Sequence, residues 1–163
     1  MHVHPLTLSG MTLARPATRD TLVSPAIFGA FDGCASLIGV VIYLLASHPA
    51  LVFPAAVSGA LTAAVSMGGG EFLSDSDNGL TASAVMAAAT FTGALAPAIP
   101  FAFSHGPAAV AECAVICAAI VITVAALRTG RSLGLAIVET AGLLFAAVTV
   151  AFACARLLPG GTA

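Results

Sequence analysis

The residues of this chain with the most chemical potential are acids and a methionine embedded in apolar sequence. Asp32 lies inside the apolar stretch 25–46, and Met67 and Glu71 lie in the run Ser66-Met67-Gly68-Gly69-Gly70-Glu71. A carboxylate at membrane depth is costly, so it is a candidate functional group by default. Carboxylates bind hard and borderline cations, whereas a thioether is a soft ligand. The mixed set therefore predicts a site for a transition-metal cation such as Fe(II) rather than for Mg or Ca.

Two further acids, Glu112 and Glu139, lie in later apolar stretches. Inserting an acid near the middle of a spanning helix costs about 3 kcal/mol, so these two with Asp32 and Glu71 together cost on the order of 10 kcal/mol. Packing alone does not require that cost. We predict Glu139 and Glu112 as pathway or proton-exchange groups. The alternatives are a protonated carboxyl that hydrogen-bonds a neighbouring helix and, for Glu112, a position at the membrane interface.

Composition places the chain in a membrane. Of its 163 residues 60% are hydrophobic and 7% are charged, with a mean hydropathy of +1.09, so too few polar groups exist to cover a water-soluble surface. The chain has no lysine and a net charge of -2, which argues against nucleic-acid binding. No catalytic residue set is evident, and we expect no enzymatic activity.

The apolar runs define the elements that must position these residues. A helix of about 20 residues spans the hydrocarbon core, and the runs are rich in Ala and Gly without strand-like alternation. We predict an all-α integral membrane protein with five transmembrane helices over residues 25–46, 50–73, 80–103, 107–127 and 133–157. The flanking parts are an N-terminal arm, 1–24, and a short C-terminal tail, 158–163, so the membrane domain is 25–157.

The arginines orient the helices. If the N-terminus is inside, four of the five arginines lie on the cytoplasmic side, namely Arg15, Arg19, Arg128 and Arg131. Only Arg156 lies outside. The positive-inside rule therefore predicts a cytoplasmic N-terminus and an external C-terminus. The expected location is the cell (inner) membrane, with lipid as the surrounding partner.

In this orientation several candidate ligands fall at one depth. At 1.5 Å per residue, Asp32 is about 10 Å from the cytoplasmic end of its span, and Met67 and Glu139 are each about 9 Å deep. Gly29 and Gly33 form a GxxxG pattern beside Asp32. This pattern permits close helix approach, and we interpret it as a homodimer face, with packing inside the chain as the alternative.

The remaining polar and sulfur-containing residues are expected to be structural or incidental. Cysteines in apolar segments usually behave as small core residues rather than disulfides, which applies to Cys34, Cys113, Cys117 and Cys154. Exposed pairs of polar residues on loops or arms bind metals only rarely, and usually they are hydrated or cap a helix end. This expectation applies to the histidine pair His2 and His4 and to the aspartate pair Asp75 and Asp77.

Two segments together resemble the vacuolar iron transporter family. They are Phe31-Asp32-Gly33 and Ser66-Met67-Gly68-Gly69-Gly70-Glu71-Phe72-Leu73-Ser74, which look like that family's Asp-Gly pair in the first helix and its Ser-Met and Gly-Glu run at the end of the second. Residues 91–100, with a Gly and paired prolines, are similar to the third helix, and the resemblance spans 25–157.

The resemblance implies a function and an assembly. Family members have five helices with a cytoplasmic N-terminus and exchange protons for Fe(II), and often Mn(II), to move metal out of the cytosol. They are homodimers with the pathway at the subunit interface. Carried over by position, Asp32, Met67 and Glu71 are the implied ligands, with Fe(II) or Mn(II) as the transported ion, protons as the counter-ion and no permanently bound cofactor.

The chain also departs from that family. Members characterised as exporters carry a glutamate-rich cytoplasmic helical domain between the second and third helices, where this chain has only residues 74–79. An acidic residue preceding the Asp-Gly pair is also absent, since 26–28 are Ala, Ile and Phe. The second hypothesis is therefore a small non-transporting subunit or assembly factor of a larger membrane complex. Metal flux into sealed vesicles distinguishes the two.

Overall fold

A computed structural model describes residues 19–74, 79–128, 130 and 132–157. These residues form five long helices joined by short turns, without a strand in the described part of the chain. The helices are α1 (Arg19–Ser47), α2 (Val52–Ser74), α3 (Gly79–Leu95), α4 (Pro107–Leu127) and α5 (Leu133–Leu157). Five spans are long and apolar enough to cross a membrane, which confirms the all-α multi-pass class. Outside the described residues lie His2, His4, Arg15, Asp75, Asp77, Arg131 and the tail 158–163.

Two helix boundaries differ from the sequence prediction by more than two residues. α1 begins at Arg19 rather than at Pro25, because the polar residues before the apolar stretch continue the same helix. The predicted span 80–103 is two segments in series, α3 and a 3₁₀ segment from Ala96 to Ala102 that contains Pro97 and Pro100. Proline lacks the backbone N–H that an α-helix interior needs. The tighter 3₁₀ form is common where an α-helix ends.

Glycines let α1 and α3 approach backbone to backbone. A Cβ added at Gly33 would collide with the carbonyl oxygen of Thr90, and one added at Gly93 with the carbonyl oxygen of Ala30. A Cβ at Gly29 would also strike α3, 2.8 Å from the Thr90 hydroxyl oxygen. The GxxxG pattern of α1 therefore faces α3 of the same chain. The interpretation of Gly29 and Gly33 as a dimer face is corrected accordingly, because both are buried and a second subunit cannot reach them.

α2 packs on α3 through a stripe of small residues four apart. The buried residues of α2 are Val52, Ala56, Ala60, Ala64 and Gly68. At the end of the stripe, the Ser83 hydroxyl donates a 2.5 Å hydrogen bond to the Gly68 carbonyl, and a Cβ on Gly68 would lie 2.8 Å from the Ala87 Cβ. Away from this stripe, Gly59, Gly69 and Gly70 are exposed, and no other element among the described residues comes within 4 Å of their Cβ positions. This helix therefore keeps an open small-residue face.

The apolar core lies between α1, α4 and the 3₁₀ segment, with contributions from the first half of α2 and the end of α3. Its members include Cys34 and Leu37 from α1, Phe101 from the 3₁₀ segment and Cys117 from α4, all at most 8% exposed. α5 is peripheral, since only 11% of its most apolar 18-residue stretch is buried. Most side chains of α5 are therefore available to lipid.

Candidate functional site

Asp32 lies on the edge of α1 that the chain leaves open. The next residue, Gly33, is buried against α3, whereas Asp32 itself is partly exposed. Residues four apart share a helix face, and on this face Phe28 is 54% exposed and Ser36 is also exposed. Within the described part of the chain, the Asp32 carboxylate has no hydrogen bond or ion pair. The folded chain therefore contains an ionisable group in a span without using it for its own packing.

Met67 and Glu71 lie one helical turn apart beside the buried stripe of α2. Both side chains are partly exposed, and four-residue spacing puts them on one face. The backbone carbonyl of Glu71 accepts a 3.1 Å hydrogen bond from the Ser74 hydroxyl. The Glu71 carboxylate, like that of Asp32, has no partner among the described residues. α2 thus presents one acid and one thioether that the fold leaves available.

The glycine contacts give the relative levels of α1 and α2, because both helices pack on α3. Gly33 contacts α3 at positions 90 and 94, whereas Gly68 contacts it at positions 83 and 87. The midpoints of these contacts are 92 and 85, so the two glycines are seven α3 residues apart. At 1.5 Å per residue this separation is about 10 Å along α3.

This offset staggers the candidate ligands. Asp32 precedes Gly33 on α1, which runs parallel to α3. Met67 precedes Gly68 on α2, which runs antiparallel to α3. Each therefore lies one residue closer to the level of the other, measured along α3, than its neighbouring glycine does. About five residues, or about 7.5 Å, remain between the levels of Asp32 and Met67. Glu71 is one turn further from Asp32. The depths that we predicted to coincide are therefore wrong by more than a turn, and the three residues form a ladder rather than one chelating cluster.

Glu139 has a partner inside the chain. Its carboxylate forms an ion pair with the Arg128 guanidinium at 2.9 Å, with both side chains about 30% exposed (29% and 31%). The same guanidinium donates a 3.4 Å hydrogen bond to the hydroxyl of Thr140, which is buried and donates in turn to the carbonyl of Ala136. Glu139 therefore links the ends of α4 and α5 across their turn, on a different pair of helices from Asp32 and Met67.

Glu112 is separated from the other acids. It is exposed in the first turns of α4, whereas Arg128 and its partner Glu139 are at the other end of this helix. The distance along α4 from Glu112 to Arg128 is about 24 Å for 16 residues. The structure does not bring Glu112 together with the α1 and α2 residues.

The described residues do not gather the ligands of a conventional metal centre. The described residues contain no group of three or more His, Cys, Asp or Glu side chains that could hold a metal ion. Two carboxylates and one thioether, staggered along the bundle, can contact a cation in succession. Asp32, Met67 and Glu71 are therefore staggered along the bundle rather than gathered into one site.

The structure also shows a thiol contact that the sequence does not predict. The Sγ atoms of Cys34 and Cys117 are 3.9 Å apart, and Cys113 lies one turn before Cys117; all three are free thiols. The i, i+4 spacing on α4 was visible in the sequence. No local signal showed that Cys34, 83 residues before Cys117, contacts it.

This chain matches no protein-family model, no curated protein and no solved structure. A functional assignment therefore depends on the properties of its own side chains, above all on the unpaired acid Asp32.

Proposed function

We propose that the protein is a proton-coupled transporter that moves a divalent transition metal, Fe(II) or Mn(II), out of the cytosol across the cell membrane. The observation that carries this proposal is the unpaired, partly exposed carboxylate of Asp32 within a span. Such a group costs about 3 kcal/mol in a membrane helix. No contact among the described residues offsets this cost, and intramembrane acids of this kind typically mark ion or proton pathways.

Carboxylates give a simple means of coupling metal to protons. An acid bound to a metal is deprotonated, and the same acid without the metal takes up a proton. Two protons on Asp32 and Glu71 thus replace one dication at constant charge, so neither state places a net charge in the low-dielectric interior. The ladder geometry supports movement in steps, from Glu71 to Met67 and then to Asp32. The thioether of Met67 favours a borderline cation over Mg or Ca.

The proposed direction follows from the arginines. Arg19 begins α1 and Arg128 follows α4, at the same end of the bundle as Glu71, while Arg156 is at the opposite end of α5. By the positive-inside rule, the end with Arg19 and Arg128 is cytoplasmic. Glu71 is then the first ligand that a cytosolic cation meets.

We further propose a homodimer whose contact is the open face of α2. At Gly59, Gly69 and Gly70 this face has no neighbour among the described residues, and small residues are typical of contacts between membrane helices. A two-fold axis duplicates every group near it. We propose that this contact also brings the ladders of the two copies to one pathway, which then holds four carboxylates and two thioethers, twice the set of one chain.

The alternative function is a small non-transporting subunit or assembly factor in a larger membrane complex. The observation that favours it is the Arg128–Glu139 ion pair, which shows that an intramembrane acid of this chain can serve the fold rather than a pathway. Under this alternative, Asp32 and the open face of α2 contact another membrane protein, and isolated protein moves no metal.

Flux measurements with a matched pair of variants test the proposal. Wild-type protein in sealed vesicles is expected to transport Fe(II) or Mn(II) with saturation, and Asp32→Asn is expected to abolish transport because it removes the charge at constant shape. Glu112→Gln removes an exposed acid far from the ladder and is expected to retain transport. Equal flux in wild-type and Asp32→Asn vesicles would contradict the pathway. Absence of flux in the wild type would favour the subunit alternative.

A further inference from the structure

Two thiols in the core contact each other across a helix interface. Cys34 of α1 is 1% exposed and Cys117 of α4 is 8% exposed. The Cys34 thiol donates to the Cys117 sulfur with an Sγ–Sγ distance of 3.9 Å. Cys113, also 8% exposed, lies one turn away on α4. Buried single cysteines usually only fill space, but a facing pair of free thiols is also a pair of soft ligands.

The two thiols of α4, Cys113 and Cys117, are reachable from the lipid side, and Cys34 lies against Cys117. A groove of about 640 Å³ runs between α1, α4 and α5, and Cys113 and Cys117 form part of its wall. The rest of its lining is apolar, and Val110, Ile122 and Phe145 at its surface are exposed. A hydrated ion does not enter such a groove, because removing its water is too costly. A neutral, lipid-soluble complex of a metal avoids that cost.

We propose that Cys34 and Cys117 form a two-sulfur site for a soft divalent cation that accepts linear coordination, the class to which Hg(II) belongs. Thiolate ligands select soft cations. Metal–sulfur bonds of about 2.3 Å on opposite sides of a cation place the two sulfurs about 4.6 Å apart. The observed separation of 3.9 Å therefore needs to open by less than 1 Å, which small side-chain rotations of the two cysteines provide.

The charge balance favours a dication in this position. A neutral HgCl2 molecule exchanges its two chlorides for the two cysteine sulfurs, releasing two chloride ions and two protons without any change of oxidation state. The product, one Hg(II) with two thiolates, is also neutral. A monovalent cation such as Cu(I) with two thiolates would leave a net negative charge in the apolar core, where an uncompensated charge is strongly unfavourable.

This site is independent of the proposed transport function. It involves α1 and α4 and uses sulfur ligands, whereas the ladder involves α1 and α2 and is mainly carboxylate. Fe(II) and Mn(II) are harder cations with a preference for higher coordination numbers, so they do not suit two buried sulfurs. Occupation of the thiol pair by Hg(II) ties α1 to α4 without requiring any metal on Asp32.

The test uses the purified full-length chain in detergent, with HgCl2 as the probe and an excess of a small monothiol as competitor. Wild type is expected to retain about one Hg(II) per chain, because two sulfurs on one scaffold bind on the order of 100-fold more tightly than one. Cys34→Ser and Cys117→Ser are expected to lose this retention. Cys154→Ser, which changes an exposed free cysteine, and Cys113→Ser are expected to keep it.

X-ray absorption on wild type loaded with one equivalent of HgCl2, without the monothiol, provides a second readout, the number of protein sulfurs bound to the ion. Two sulfur neighbours at about 2.3 Å are expected. One sulfur neighbour, or retention unchanged in Cys34→Ser and Cys117→Ser, would overturn the site. Loss of retention in Cys113→Ser equal to that in Cys34→Ser would overturn the two-sulfur geometry. If the serine variants do not fold, Cys34→Ala and the wild-type spectrum decide the question.

Discussion

The contact of α1 with α3 makes a sharp prediction about glycine. A Cβ at Gly33 would overlap the carbonyl oxygen of Thr90 and lie 2.9 Å from the amide nitrogen of Ala94. Both atoms belong to the α3 backbone, which cannot rotate away as a side chain can. Gly142 in α5, in contrast, has no other helix of the described part of the chain within 4 Å of its Cβ position. Gly33→Ala is therefore expected to separate two helices, and Gly142→Ala to disturb nothing.

The two substitutions are expected to change the free energy of unfolding in opposite directions. Overpacking costs about 1–3 kcal/mol, and the backbone location of the clash puts Gly33→Ala at the upper end. Replacing a helical glycine by alanine gains about 1 kcal/mol at either position. The net expectation is a loss of about 2 kcal/mol for Gly33→Ala and a gain of about 1 kcal/mol for Gly142→Ala. Reversible unfolding in mixed micelles with increasing denaturing detergent measures both free energies.

Equal stability of the two alanine variants would refute the packing of α1 on α3. A Gly33→Ala variant of unchanged stability that has lost dimerisation would instead restore the original interpretation of the GxxxG pattern as a subunit contact. Helix content by circular dichroism serves as the control, because both variants keep helix-forming residues and are expected to match the wild type in the native state.

Three further predictions concern the ladder, the ion pair and the dimer. Met67→Leu nearly conserves volume and removes only the soft ligand, so Fe(II) transport is expected to fall while Mn(II) transport is spared; equal loss for both ions would mean that Met67 only packs. Glu139→Gln is expected to lower stability by up to about 1 kcal/mol and to leave flux intact, and a double-mutant cycle with Arg128→Gln measures the coupling of the pair. Gly59→Leu fills the open face of α2 and is expected to convert dimers into monomers on size-exclusion chromatography with light scattering; a wild type that is already monomeric would contradict the proposed contact.

The helices were predictable from the sequence because the length and apolarity of each run determine a membrane span. Pro97 and Pro100 also carried a local signal for a break in the helix, but the hydropathy of the third span is continuous across them, so it was predicted as one segment. Helix ends beyond the apolar stretch were less predictable, as Arg19 shows, since polar residues continue a helix without adding to the hydropathy signal.

The relations between helices were not predictable in the same way. Gly29 and Gly33 indicated that some helix approaches α1 closely. A sequence pattern does not say whether that helix is α3 of the same chain or a helix of a second copy. Depth counted from span ends placed Asp32 and Met67 at one level, because it ignores how the helices slide against each other. The partner of Glu139 depended on the turn between α4 and α5. These features are set by tertiary packing.

The central claim is that metal crosses the membrane in exchange for protons, and simultaneous recording of both fluxes tests it most directly. Wild-type vesicles with an acidic lumen and external Mn(II), monitored with a metal-sensitive and a pH-sensitive dye inside, are expected to take up metal while the lumen loses protons. Collapse of the pH gradient by a protonophore is expected to remove the driving force, and Asp32→Asn to stop both signals together. Metal entry without any proton movement, or proton movement that ignores Mn(II), would contradict the account.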